Sequence, residues 1–201
     1  ETAEMPGHYV DNNFDLAGFS VGCVDENKII TNTNVKAGNV LIGIESSGPH
    51  SNGFSLIRKI IKNSNVNVEE KEKIAKKALI PTTLYPKLVL DLIDNENINS
   101  LAHITGGGLT ENLPRSISDD LSINIYTDSW EFPDIFKWIE KHGDISKNDM
   151  LRIFNCGIGM AVFVDKNNAD KISERISKLG YKNFVIGELT KKNSTDSVVY
   201  F

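Results

Sequence analysis

Val40-Leu41-Ile42-Gly43-Ile44-Glu45-Ser46-Ser47-Gly48-Pro49-His50-Ser51-Asn52-Gly53-Phe54-Ser55-Leu56 decides the fold class of this chain. Residues 40–44 form a short apolar run, as a buried strand does, and residues 54–61 repeat apolar side chains at helical spacing. A strand therefore feeds a polar, glycine-containing turn that opens a helix. At such a junction backbone amides and the positive end of the helix face outward, which suits an anionic ligand. The turn also carries Ser47, His50, Ser51 and Asn52, so it can donate, accept and titrate within one loop. The plain alternative is an ordinary N-cap at Ser51 or Asn52, with His50 a surface residue.

Working outward, residues 14–24 read as a strand covered on both faces, with Gly18 and Gly22 allowing close packing, and residues 28–30 as its short partner. Residues 31–39 are a polar connector and the candidate domain boundary. Helices are predicted at 68–79, with acidic residues at the start and Lys76-Lys77 at the end, and at 84–93, with Pro86 in the first turn. Residues 98–104 lead into a glycine run and a short helix at 109–113. Strands follow at 121–126, 159–164, 184–189 and 198–201, and helices at 133–141, 149–154 and 169–179, the last stopped by Gly180. Strands and helices mix without a strict alternation, which predicts a layered α+β domain: a mixed sheet flanked by helices.

With 201 residues, 40% of them hydrophobic and 24% charged, the composition is that of a soluble globular protein. The net charge of −5 argues against nucleic-acid binding through a general basic field. No stretch has the length of a membrane span. Cys23 and Cys156 lie in apolar segments far apart, which reads as two buried free thiols in a reducing compartment, and no Cys/His cluster has zinc spacing.

Three further segments carry possible chemistry. In His103-Ile104-Thr105-Gly106-Gly107-Gly108, three glycines let backbone approach a ligand, and consecutive amides can form an anion nest; a tight turn is the competing reading. No Lys-Ser or Lys-Thr follows, so this is not a Walker loop. His103 itself reads as a packed histidine at a strand end. Phe154-Asn155-Cys156-Gly157-Ile158-Gly159-Met160 reads as structural packing; Arg152 and Asn155 could reach a phosphate or sugar, though nothing in the spacing requires it. Glu1-Thr2-Ala3-Glu4 offers carboxylates for Mg²⁺, against the plainer reading of a solvated acidic terminus.

Taken together and in order, residues 1–7 (ETAEMPG), 14–22 (FDLAGFSVG), 46–59 (SSGPHSNGFSLIRK), 79–87 (LIPTTLYPK), 102–115 (AHITGGGLTENLPR) and 154–160 (FNCGIGM) resemble the phosphoribosylformylglycinamidine cyclo-ligases, or AIR synthetases. The resemblance implies a cytoplasmic purine-biosynthetic enzyme. It converts formylglycinamidine ribonucleotide (FGAM) and ATP into aminoimidazole ribonucleotide (AIR), ADP and phosphate, with Mg²⁺. It also implies a homodimer with two domains and an active site between them. Residues 1–36 would be the tail of an N-terminal nucleotide-binding, dimerising domain, and 37–201 the C-terminal domain, so the chain is expected to be a fragment, inactive alone. Carried over by position, Glu1 is the metal ligand and Thr2 the ATP contact. His50 is the proton-transfer or orienting group. Ser47, Ser51, Asn52, Gly53, Thr105, Gly106, Gly107 and Gly108 bind substrate. The alternatives are FGAM synthetase, selenophosphate synthetase or thiamine-monophosphate kinase, or a non-catalytic substrate-binding half.

Overall fold

The computed structural model describes residues 18–193 and 195–201. The opening stretch forms β1 (Asn39–Glu45) and α1 (Phe54–Asn63). There follow α2 (Val68–Ala78), α3 (Pro86–Asn95), β2 (Ser100–His103), α4 (Gly108–Asn112), β3 (Leu121–Ile125), α5 (Asp134–Gly143), α6 (Lys147–Ile153), β4 (Ile158–Asp165), α7 (Ala169–Lys178), β5 (Asn183–Lys191) and β6 (Val198–Tyr200). Local chemistry sets several boundaries. The Asn67 side chain accepts from the Glu70 amide to cap α2, Ser146 does the same from Asp149 for α6, and Pro86 sits in the first turn of α3.

The strands build one mixed six-stranded sheet in the order β2-β4-β1-β5-β3-β6, antiparallel throughout except for the β3–β6 pair. β1 and β4 are central, and alternate residues of each feed two separate cores. Leu41, Ile158, Ala161 and Phe163 pack with Ile57 of α1, Ile74 of α2, Leu109 of α4, Phe136 of α5 and Leu151 of α6 on one face. Val40, Ile42, Ile44, Met160, Val162 and Val164 pack with Leu88 and Leu92 of α3 and Ile172 and Ile176 of α7 on the other. Burial on both faces is why these strands read as continuous apolar runs rather than as alternation.

Two expectations are corrected. Residues 18–24 form no strand: they lie exposed, with Phe19 94% accessible. They pair with no other strand of the described residues, and Glu26–Lys28 is a 3₁₀ turn rather than a partner strand. An apolar run acquires strand structure only where a ladder accepts its amides and carbonyls. For the same reason Cys23 is exposed, whereas Cys156 is fully buried and burial pushes its thiol up. Residues 14–17 of that expected strand, with Glu1 and Thr2, lie outside the described residues.

Candidate functional site

β1 and β2 each pair antiparallel with β4, so they run in the same direction. Their carboxyl ends therefore emerge together, beside the amino end of β4, and each leads into a glycine-containing loop. This topology brings residues 46–53, 103–108 and 154–159 to one end of the sheet. The two loops face each other: a β-carbon built on Gly106 would lie 3.5 Å from Asn52 Oδ1.

The first loop is strongly bent. His50 and Ser51 adopt left-handed backbone conformations at φ 51° and 59°, which non-glycine residues rarely hold and which concentrate at functional sites. Asn155 is the clamp that holds the loop. Buried at 2% exposure, it donates from Nδ2 to Gly48 O (2.8 Å), and its Oδ1 accepts from Ser46 Oγ and the Gly157 amide, both at 2.9 Å. Gly53, not Ser51 or Asn52, occupies the N-cap position of α1, without a side-chain cap; the Asn52 side chain turns back to donate to His50 O at 2.8 Å. Among the described residues the amides of Gly53, Phe54 and Ser55 meet no acceptor.

His50 lies inside the loop, 4% exposed. Its Nε2 accepts from the amides of Ser47 (3.1 Å) and Thr83 (3.3 Å), which places the ring hydrogen of the neutral tautomer on Nδ1. Nδ1 is buried without a hydrogen-bond partner among the described residues. Desolvation first, and the nearby His103 second, lower its pKa from 6.5 to about 4, so the ring is neutral near pH 7. Ser47, exposed, donates from Oγ to Pro81 O at 2.7 Å. The Tyr85 ring lies 6.0 Å from the His50 ring, and its hydroxyl donates to Glu45 O at 2.8 Å. Gly159 of β4 makes room for both: a β-carbon there would overlap the Tyr85 hydroxyl and lie 2.6 Å from His50 Cε1.

Asn112 holds the second loop. Also buried, it donates from Nδ2 to Gly108 O (2.8 Å) and Gly106 O (3.1 Å), and its Oδ1 accepts from Thr105 Oγ1 at 3.2 Å. These bonds draw loop carbonyls inward, and among the described residues the amides of Thr105, Gly106 and Gly107 meet no acceptor. Gly108, at φ 56°, seats α4 on the end of α6, where a β-carbon would overlap Leu151 O. Glu111 lies over Gly107 and pairs with Arg152 at 3.5 Å.

His50, Ser47, Ser51, Asn52, Gly53 and Thr105–Gly108 are thus neighbours in space. His103 is not packed as expected. It is exposed at the end of β2, its ring edge-on to Tyr85 at 6.0 Å. Asn112 was not legible as a site residue. Asn155, read as able to reach a phosphate or sugar, instead spends its side chain on Gly48, Ser46 and Gly157. The clamping role of both appears only once the loops are folded. Among the described residues no three His, Cys, Asp or Glu side chains are placed to share a metal ion.

Residues 36–200 match the family model described as "AIR synthase related protein, C-terminal domain". The chain belongs to this family. It is 44% identical over 197 residues to the phosphoribosylformylglycinamidine cyclo-ligase of Citrifermentans bemidjiense, covering 95% of this chain and 57% of that protein. The chain thus spans little more than half the length of that relative. Among solved structures, this AIR synthase-related domain resembles E. coli HypE (TM-score 0.64, 16% identity, 89% of this chain and 51% of HypE). It also resembles the thiamine-monophosphate kinase of Stenotrophomonas maltophilia K279a (TM-score 0.60, 13% identity, 88% and 54%). At these identities the likeness is one of fold: the mixed sheet with helices on both faces is the AIR synthase-related C-terminal architecture.

Proposed function

We propose that the intact protein closes the imidazole ring of FGAM to give AIR, converting ATP to ADP and phosphate. The observation that carries this reading is the meeting of the two glycine loops at one sheet end in a chain 44% identical to a cyclo-ligase. ATP phosphorylates the formyl oxygen, the amidine-side nitrogen attacks the formyl carbon, and phosphate departs. Such a reaction asks a protein mainly for positioning and charge stabilisation. The free amides of Thr105, Gly106 and Gly107 suit the ribonucleotide phosphate, and those at the start of α1, with Ser47, Ser51, Asn52 and Gly53, suit a second anionic or polar group of the substrate. His50, neutral and engaged by two backbone amides, suits the orienting role rather than proton transfer. Glu1 and Thr2 remain the proposed Mg²⁺ and ATP contacts. A homodimer in the cytoplasm, with residues 1–36 belonging to a nucleotide-binding domain, completes the proposal.

The test is ADP release by the intact protein with Mg²⁺–ATP and FGAM. FGAM-dependent release with an equal amount of AIR is the expected result. Silence with FGAM but turnover with thiamine monophosphate, selenide, or formylglycinamide ribonucleotide plus glutamine would overturn it.

A further inference from the structure

We infer that His103 accepts the proton released at ring closure, from its exposed position at the end of β2 beside the glycine loops. This rests on the cyclo-ligase reading. When the amidine-side nitrogen bonds to the activated formyl carbon, the bond from that carbon to the phosphorylated oxygen breaks, and phosphate leaves with the electron pair. The new ring nitrogen then carries one hydrogen too many. A ring nitrogen of His103 takes that proton with its own lone pair and passes it to water.

Four observations place His103 in this role. First, β2 is paired residue for residue with β4, His103 opposite Met160, so its backbone is fixed. Second, its side chain is exposed, and among the described residues neither ring nitrogen has a hydrogen bond or ion pair. Third, it precedes Thr105 by two residues, and the amides of 105–107 meet no acceptor among the described residues, so an anion held by them lies within a side chain's reach of His103. Fourth, the other described imidazoles are committed elsewhere. His50 is buried with Nε2 occupied, and His142 of α5 stacks on Trp138 at 4.3 Å with Nδ1 3.0 Å from Trp138 O. The Tyr85 ring neighbours both imidazoles, 6.0 Å from the buried His50 ring and 6.0 Å from the exposed His103 ring.

The charged and titratable groups around His103 are few. On the α3 side stand Tyr85, whose hydroxyl burial pushes up, and behind it Tyr181 and Glu45. Beneath lies His50, which His103 helps to keep neutral. Arg115 lies on the 3₁₀ turn Leu113–Ser116 that packs along β2, and the Glu111–Arg152 pair lies beyond the glycine loop. β4 contributes no charge opposite His103.

The experiment compares wild type and His103→Gln in the intact protein, by AIR formation across pH 5.5–9 with and without added imidazole. Positioned proton transfer contributes roughly 10²–10⁴-fold. His103→Gln is expected to lower kcat by at least about 100-fold, with KM for FGAM little changed. It should also remove the acid limb of the pH profile and recover part of its rate in imidazole, with an unchanged melting temperature. Wild-type turnover in the variant, or a loss that leaves the acid limb in place and does not respond to imidazole, overturns the inference while leaving the cyclo-ligase reading standing. A wild-type protein inactive on FGAM overturns both.

Discussion

His50 is held neutral by its surroundings, and that neutrality has a pH signature. The unfolded chain binds a proton at this ring near pH 6.5; the folded chain resists until about pH 4. Between these values the unfolded state carries more protons, so stability falls as pH drops through that window. The linked free energy is at most about 3 kcal/mol, full above pH 6.5 and gone below pH 4. Urea unfolding followed by tryptophan fluorescence at pH 7.5 and 4.5 is expected to show this loss in the wild type and a smaller one in His50→Gln. An identical pH dependence in both proteins would show that the buried ring does not titrate as its environment dictates. Gly159 supplies the companion test. Gly159→Ala puts a methyl group where the Tyr85 hydroxyl and the His50 ring already lie. It is expected to destabilise by about 1–3 kcal/mol, the ordinary cost of overpacking, read as a lowered urea midpoint.

At the scale of elements, pattern alone carried most of the information. The runs at 40–44 and 159–164 became β1 and β4 with one added residue at each end, because strands buried on both faces leave an unbroken apolar signature. The acidic start and basic end of α2 marked it, and Pro86 marked the start of α3. The failure at residues 18–24 has one cause: apolar content says nothing about whether a strand partner exists. The failure at His103 has another. Strand alternation puts Leu101 and His103 on the same face, yet helix α3 covers one and leaves the other open at the sheet end. What the pattern missed is the clamping role of two buried asparagines, Asn112 and Asn155, which tie loops to their neighbours. Asn155 joins the loop after β1 to the start of β4 through three hydrogen bonds. Asn155→Ala leaves Gly48 O, the Gly157 amide and Ser46 Oγ without that partner. It is expected to cost at least about 2 kcal/mol, since each buried orphan costs roughly 1–3. Ser46→Ala, which removes one bond, should cost about 1 kcal/mol. Equal melting temperatures for the two variants would refute the clamp.

For the whole molecule, the sheet order places the candidate site. β1 and β2 flank β4 and deliver their loops to one end, so residues about fifty positions apart in sequence meet there. Local spacing gave each loop but not their meeting; only the shared antiparallel partner β4 brings it about. The glycines of the second loop then separate folding from binding. Gly108 is held at φ 56° against Leu151 O, so Gly108→Ala is expected to unseat α4 and lower the melting temperature by several degrees. Gly106 has an ordinary backbone conformation, and an added β-carbon would meet only Asn52 Oδ1, at normal contact distance. Gly106→Ala should therefore fold as stably as the wild type. Its methyl group, however, stands between the two loops where the substrate's anionic part is proposed to lie. The expected result is an unchanged melting temperature with KM for FGAM raised about tenfold, a loss of about 1.4 kcal/mol in binding. An unchanged KM in Gly106→Ala, measured in the same AIR assay, would place the substrate away from the space between these loops.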